Sequence, residues 1–233
     1  MNILAINTSS TSGSIALYKK DKISYVCYLD ITVTHSERLM PQIDEGLKRS
    51  GLSIDDIDVI CIANGPGSFT GIRIGLATAK GLAMPNKIPI VPYNTLLLQA
   101  YNLYHSGKPI LVFNDAKMNE VYTALYDKNM NPIIEPYNTT PQEILNKINE
   151  EVCIVGSGIK KYEEYIKESN IKYVEALPHQ NLDLAVVMIS IFLKEDAEPS
   201  YDFDKISALE PYYLRKSQAE LVYEKKKKEE NNG

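Results

Sequence analysis

Residues 58–75 of this 233-residue chain read DVICIANGPGSFTGIRIG and contain the most distinctive segment of the sequence. A nearly all-apolar strand is predicted from Asp58 to Ala63. A glycine-rich turn follows, and then a helix from about Gly71 to Ala83, with Pro85 just past its end. A strand without polar alternation is typical of a sheet that is covered on both faces. The stretch therefore predicts an α/β fold in which helices pack against a sheet.

The elements outside this stretch repeat in one order. Three short strands and a helix precede it, and a further strand and helix complete the first half. Both halves then read β-β-β-α-β-α, at about 1–107 and 108–200, although sequence identity between them is not evident. This repeat predicts an actin-like (ASKHA) fold, with two subdomains side by side and a cleft between them. The predicted division is 1–107, 108–215 and a charged tail at 216–233.

The composition narrows the class of protein. Apolar residues make up 44% and charged residues 24% of the chain, which is typical of globular proteins, and no apolar run is long enough for a membrane span. The net charge of −5 disfavours a self-sufficient nucleic-acid-binding protein, because such proteins carry a basic excess. The three separated cysteines are expected to be buried thiols. The first residues show no secretory-signal pattern, so a cytoplasmic protein is expected.

Two polar turns are the candidates for binding nucleotide or metal. In actin-like kinases, the turn after the first strand of each half grips phosphate or its metal, usually through a carboxylate. The first turn here carries Asn7 and Thr8, and an amide cannot neutralise a magnesium ion. The second carries Asn114 and Asp115, where Asp115 is interpreted either as a metal or water ligand or as a turn former. We interpret these four residues as vestigial phosphate turns.

The glycine-rich turn looks like a phosphate loop, but it is not a Walker loop. Ile72 and Arg73 stand where that loop requires Lys and Ser or Thr. Small residues then recur at every fourth position of the predicted helix, at Gly71, Gly75, Ala79 and Ala83. A glycine inside a helix costs about 0.5–1 kcal/mol relative to alanine. This small-residue ridge therefore predicts either the close packing of another helix or an anion site at the helix start.

No catalytic or metal-binding residue is predicted. The three histidines, His35, His105 and His179, do not stand at the spacing of known metal sites. His35, Ser36 and Glu37 could form a catalytic fragment, but neighbours on a helix do not face one another. Ser36 is more simply interpreted as an N-cap residue.

Five strings together match one known family. They are ILAINTS at 3–9, HSERLMP at 35–41, GPGSFTGIRIG at 65–75, NDAK followed by EVY within 114–122, and PYYLR at 211–215. On these strings the chain closely resembles the bacterial TsaB (YeaZ) family, whose members are relatives of the tRNA threonylcarbamoyladenosine synthase TsaD. The resemblance covers nearly the whole chain and is densest before residue 105. It implies an actin-like fold and a role in threonylcarbamoylation of the adenosine beside the tRNA anticodon.

The resemblance also implies a non-catalytic subunit. The catalytic relative binds its metal through two histidines four residues apart, where this chain reads Tyr93-Asn94-Thr95-Leu96. The family commonly has Asp where this chain has Asn7. The implied partners are TsaD and the ATPase subunit TsaE, with a homodimer when the chain is alone. ATP and metal are expected in the partner subunits rather than here, and tRNA is expected to bind only through the complex.

The partner interface is predicted on the two helices of the first half. The expected residues are Leu39, Met40, Ile43, Leu47, Gly71, Ile72, Gly75, Leu76 and Ala79. Ile74 and Leu82 are expected to face the sheet instead. The alternative is that the small-residue ridge packs inside the chain. If it is an interface, Gly75→Leu should leave a folded monomer. The competing function is an actin-fold, ATP-dependent kinase of a small metabolite.

Overall fold

The computed structural model describes residues 1–31 and 33–215, so the charged tail predicted at 216–233 lies outside the described residues. No helix in the described part of the chain is long and apolar enough to cross a membrane. Eighteen helices and strands, joined by turns, make up the fold of these residues.

The first sheet has five strands in the order β3-β2-β1-β4-β5. β1 pairs antiparallel with β2 and parallel with β4, so the parallel strands lie at the sheet centre and one edge. The elements of this half are β1 (Ile3–Asn7), β2 (Gly13–Lys19), β3 (Lys22–Leu29), α1 (His35–Ser50), β4 (Val59–Gly65), α2 (Phe69–Asn86), β5 (Ile90–Asn94) and α3 (Thr95–Tyr101).

The second sheet repeats the topology of the first, in the order β10-β9-β6-β7-β8. β6 takes the place of β1, because it pairs antiparallel with β7 and parallel with β9. The duplication predicted from the sequence is therefore confirmed. The remaining elements are β6 (Ile110–Lys117), β7 (Glu120–Tyr126), β8 (Pro132–Thr139), α4 (Pro141–Leu145), β9 (Val152–Val155), α5 (Gly158–Lys161), α6 (Glu163–Glu168), β10 (Tyr173–Glu175), α7 (Val186–Glu195) and α8 (Phe203–Ala208).

The helices do not follow the predicted division between 107 and 108. α1 and α2 cover one face of the first sheet. The other face is covered by α7, whose Met188, Ile191 and Phe192 pack against β1, β2 and β4. α3 packs its Leu96 and Ala100 against the second sheet. The chain thus crosses between the halves twice, and the boundary must be corrected for the helices.

Several predicted bounds also need correction. α2 begins at Phe69, where the Ser68 hydroxyl accepts a hydrogen bond from Gly71 N, and it includes Pro85 in its last turn. A helix is also expected from the apolar pattern at 181–194, but α7 begins only at Val186, because a separate short helical turn that starts with proline occupies Pro178–Asn181. β10 and α8 were not predicted, since three-residue strands and single-turn helices carry little periodicity.

Candidate functional site

A cleft of about 540 Å³ lies between the two sheets. The turns that follow β1 and β6 line it from opposite sides, because these two strands occupy equivalent positions in the two sheets. Most of the lining side chains are polar or aromatic, among them Ser9, Ser10, Ser68, Phe69, Thr95, Gln99, Asn114, Asp115, Lys117, Tyr122, Ser157, Asp183 and Arg215.

The turn after β1 is stabilised by its own side chains. Asn7 is 1% exposed, and its side-chain oxygen accepts hydrogen bonds from Ser9 N at 3.0 Å and from Ser9 Oγ at 2.7 Å. Thr8 Oγ1 donates to Gly71 O at 2.8 Å, so this residue faces α2 rather than the cleft. The first predicted phosphate turn is therefore occupied by contacts within the chain.

The glycine-rich turn packs directly on the turn after β1. Ser68 N donates to Ser9 O at 2.7 Å. A Cβ at Gly67 would lie 2.1 Å from that same oxygen, and one at Gly71 would lie 2.1 Å from Thr8 O. Only glycine permits these two backbone segments to approach so closely. The glycines therefore serve packing, and the anion-site interpretation of the turn has no support from this geometry.

The turn after β6 carries an ion-paired carboxylate. Asp115 Oδ1 accepts from Lys161 Nζ at 2.7 Å and from Lys117 N at 2.8 Å, and Oδ2 accepts from Lys117 Nζ at 3.0 Å. Burial alone would raise the pKa of Asp115, but the hydrogen bonds from Lys161 and Lys117 outweigh it and lower that pKa to about 2. Two lysines thus neutralise the carboxylate that a metal would need.

The second predicted residue of this turn lies on the cleft floor. Asn114 Nδ2 donates to Gln99 Oε1 at 2.6 Å, and its Oδ1 accepts from Ser157 N at 3.1 Å. Gln99 Nε2 in turn donates to Asp183 Oδ1 at 2.7 Å. Burial raises the pKa of Asp183, while hydrogen bonds from Ser10 and Gln99 act in the opposite direction. This polar chain joins α3, β6 and the segment before α7.

Sequence reasoning missed Gln99 and Asp183 as cleft residues. They are 84 positions apart in the chain, and neither belongs to a recognisable motif. Only the crossing of α3 and α7 between the halves brings them together. The sequence contains one indication, since Gln99 is a polar residue in the otherwise mostly apolar helix α3.

His35 has a structural environment. Both ring nitrogens of His35 are hydrogen-bonded to groups other than Ser36 and Glu37. Nε2 donates to Ser10 O at 2.8 Å, and Nδ1 accepts a hydrogen bond from Arg38 Nη2 at 3.2 Å. Burial lowers the pKa of His35, and the charge of Arg38 adds to this effect, although the hydrogen bond to Ser10 opposes it. Within residues 1–31 and 33–215, no group of three or more His, Cys, Asp or Glu side chains could hold a metal ion.

The predicted interface residues are mostly core residues. Met40 is 46% exposed, but eight others are buried within the chain. The small-residue ridge points inward, since a Cβ at Gly75 would lie 2.2 Å from Thr8 Oγ1. The prediction that these eight residues form an exposed face is therefore wrong: Leu39, Ile43, Leu47, Gly71, Ile72, Gly75, Leu76 and Ala79.

The outward side of α2 carries a different set of residues. Thr70, Ala77 and Gly81 are exposed and Ile74 is half-buried. Their spacing of four, three and four residues places them along one stripe of the helix. We name these four residues the open stripe. Ile74, which is expected to face the sheet, is half-buried and packs against the core of the first sheet, so it lies at the border of the stripe. α1 contacts α2, so Met40 lies on the neighbouring helix.

Two sheets of one topology, each with a polar turn after its first strand at a shared cleft, define an actin-like (ASKHA) protein. A family model described as TsaD, tRNA N6-adenosine threonylcarbamoyltransferase, matches residues 31–221. The curated relatives that match along most of the chain are named tRNA threonylcarbamoyladenosine biosynthesis protein TsaB. The chain belongs to this TsaB family, whose role is in the biosynthesis of threonylcarbamoyladenosine in tRNA.

The similarity extends over nearly whole proteins. The TsaB protein of Escherichia coli strain K12 is 30% identical in an alignment that covers 86% of this chain and 94% of that protein. The TsaB protein of Bacillus subtilis strain 168 is 34% identical over 72% of this chain and 76% of its own. The solved structure of YeaZ from Pseudomonas aeruginosa superposes with a TM-score of 0.76 at 24% identity, covering 91% of this chain and 99% of that chain.

Proposed function

We propose that this chain is a non-catalytic subunit that activates the synthase TsaD by pairing with it. Family membership gives the pathway, and the geometry of the cleft supports a role for this chain other than catalysis. The partner would carry out threonylcarbamoyl transfer, and this chain would position or stabilise it. Because tRNA is the substrate, the proposed place of action is the bacterial cytoplasm.

The observation that carries the proposal is the occupation of both phosphate turns. Asn7 accepts two hydrogen bonds from Ser9, and Asp115 accepts hydrogen bonds from Lys117 and Lys161. A nucleotide–metal complex would have to displace these contacts, and the first turn would still lack a carboxylate. The residues present therefore do not fit a metal-bound nucleotide, and no reaction step is assigned to this cleft.

The proposed pairing surface is the outward side of α1 and α2. The open stripe combines two small residues, Ala77 and Gly81, with Ile74, and Met40 adds an exposed apolar side chain from α1. Small residues let helix axes approach to about 8–10 Å. A two-fold axis would bring two helices from each subunit into a four-helix interface. An actin-like partner such as TsaD could offer the equivalent helices.

The same surface would be shared by self-association and by pairing with TsaD, whereas the other proposed partners would bind the complex. The chain alone would form a homodimer through its own α1 and α2, and TsaD would compete for them. The ATPase subunit TsaE would bind the assembled pair, and TsaD and TsaE rather than this chain would hold the ATP and metal. The net charge of −5 favours tRNA contact through the complex rather than through this chain.

An activity assay with and without the synthase tests the proposal. The purified chain should form no threonylcarbamoyladenosine when given tRNA, threonylcarbamoyl-adenylate and metal, and it should raise the activity of added TsaD. Titration with ATP in the same preparation tests the kinase alternative. Steady turnover by the chain alone, or micromolar ATP binding with turnover of a small metabolite, would overturn the proposal.

A further inference from the structure

The last part of the described chain runs along α2 in the reverse direction. Near the end of α2, Tyr201 OH donates to Met84 O at 3.4 Å. In the middle, Lys80 Nζ donates to Ser207 O at 2.8 Å. Tyr213 then reaches the first turn of α2. The helix that carries the proposed pairing surface is therefore held along its whole length by the C-terminal segment.

The contacts at the first turn of α2 involve three side chains. The rings of Phe69 and Tyr213 are stacked, with 4.6 Å between centroids and 20° between planes. Arg73 Nε donates to Tyr213 OH at 2.7 Å, and its guanidinium carbon lies 5.5 Å from the Tyr213 ring centroid. We name these three residues the clasp. Stacking and cation–π contact act together on one ring.

The backbone beside the clasp is held equally closely. Tyr212 N donates to Asn64 O at 2.8 Å, and Asn64 Nδ2 donates to Glu210 O at 3.0 Å. A Cβ at Gly65, where φ is +113°, would lie 2.5 Å from Tyr212 O. The glycine at the end of β4 thus allows the segment to lie directly on the turn that precedes α2.

The segment then continues to the second half of the molecule. Leu214 packs against the core of the second sheet, and Arg215 lies 3.6 Å from Glu120 on β7. Two consecutive residues after the clasp are therefore fixed on the other side of the cleft. This anchoring prevents Tyr213 from leaving α2 without breaking contacts in both halves.

We propose that the clasp residues Phe69, Arg73 and Tyr213 are positioning residues that hold the first turn of α2 in its binding-competent place, so that a second copy of this chain meets a preformed surface. The proposal rests on the proposed function, since it concerns the same pairing surface. The first turn of α2 contains Thr70, and Ile74 follows one turn later. A helix end that frays must be ordered during association, and this ordering weakens binding.

Tyr213→Leu tests the proposal because it removes the ring and hydroxyl but keeps an apolar side chain. Tyr212→Leu is the matched control, because Tyr212 is tied to Asn64 through its backbone amide, which the substitution leaves in place. Amide exchange of residues 69–74 would be measured in each free chain, and self-association by analytical ultracentrifugation. For Tyr213→Leu we expect exchange and the dissociation constant each to rise about tenfold, the effect of losing one aromatic pair.

Tyr213→Phe keeps the stacked ring and removes only the bond to Arg73, so it should raise both quantities about threefold. It also replaces Tyr213→Leu if that variant does not fold. Weaker association with unchanged amide exchange would mean that Tyr213 contacts the partner directly. Faster exchange with unchanged association would mean that the order of the first turn of α2 does not affect association. Either result overturns the positioning role alone. Absence of association in the unmodified chain, with itself and with TsaD, would overturn the proposed function and this proposal together.

Discussion

The two faces of α2 use glycine for opposite purposes. On the inward face, a Cβ at Gly75 would lie 2.2 Å from Thr8 Oγ1. On the outward face, a Cβ at Gly81 would meet no atom of the described residues within 4 Å. The same residue type, six positions apart in one helix, thus closes a core contact in one place and leaves open space in the other.

This difference shows what a pattern of small residues can predict. The i, i+4 spacing of Gly71, Gly75 and Ala79 correctly indicates close approach, but the approaching group is the turn after β1 and not a second helix. Among the glycines of α2, Gly81 is the one whose added Cβ would contact no atom of residues 1–31 and 33–215. Glycine costs about 0.5–1 kcal/mol inside a helix, and the pairing surface proposed above would give Gly81 a role that offsets this cost.

The largest effect is expected at the inward face. Gly75→Leu should lower the free energy of unfolding by more than about 3 kcal/mol, because the added side chain would force α2 away from Thr8 and Ile62. Urea denaturation followed by circular dichroism measures this loss. The expectation from sequence alone, a folded monomer, is thereby reversed. A stable, folded Gly75→Leu variant would show that α2 can move away from the turn after β1. The two faces of α2 would then not differ in their tolerance of a larger side chain.

The second effect concerns association and not folding. Gly81→Leu should stay folded, because its side chain enters open space, and its self-association should be weaker at least about 100-fold, which corresponds to about 2.7 kcal/mol. The leucine would hold the paired helix axes more than ~8–10 Å apart. Sedimentation velocity of the purified variant gives the dissociation constant, and activation of TsaD gives a second readout.

Ser190→Leu is the matched control for Gly81→Leu. Ser190 is exposed on α7, which covers the opposite face of the first sheet. The control should self-associate like the unmodified chain. Equal association of all three proteins would place the pairing surface away from α2, and equal loss in both variants would indicate a nonspecific effect of an added leucine.

A smaller effect should follow from pH at the start of the inward face. A Cβ at Gly71 would lie 3.3 Å from His35 Cδ2, so this ring belongs to the packed side. Burial and Arg38 lower the pKa of His35 in the folded chain, so the unfolded chain binds a proton more readily. The His35 contribution to stability is present above the unfolded pKa of about 6.5 and is lost as pH falls below it.

His35→Gln isolates this contribution because glutamine can donate to Ser10 O without titrating. Urea unfolding at pH 7.5 and pH 5 should show a smaller decrease in stability on acidification for the variant than for the unmodified chain. Self-association of the two proteins at pH 7.5 should be equal. Identical pH dependence of unfolding would mean that the ring is not held in its neutral form by the fold.

The comparison also shows which parts of the structure were predictable. Local apolar patterns determine every strand except the three-residue β10, so the duplication of the two sheets follows from the sequence. The inward direction of Gly75 depends on the turn at Thr8, which is 67 positions away and carries no matching pattern. Asp183 reaches the cleft, and Tyr213 reaches the first turn of α2, only after the chain has crossed between the halves. Such contacts arise from the whole topology, and no local period encodes them.

The smallest effect is expected at the turn after β1, which packs against the inward face of α2. Asn7→Asp supplies the carboxylate that actin-like kinases use, yet we expect no micromolar binding of magnesium–ATP. The new oxygens would still accept from Ser9 N and Ser9 Oγ, as Asn7 Oδ1 does now. Thr8 would remain bonded to Gly71 O, so α2 would keep the Thr8 side chain directed away from the cleft. Isothermal titration of the variant against the unmodified chain makes the measurement, and Asp115→Asn serves as the control that removes the other carboxylate. Two results together would contradict this expectation: micromolar binding of magnesium–ATP by Asn7→Asp, and loss of that binding when Asp115→Asn is added. They would show that the cleft is an intact kinase site that lacks one ligand, and that packing of the turn against α2 does not prevent nucleotide binding.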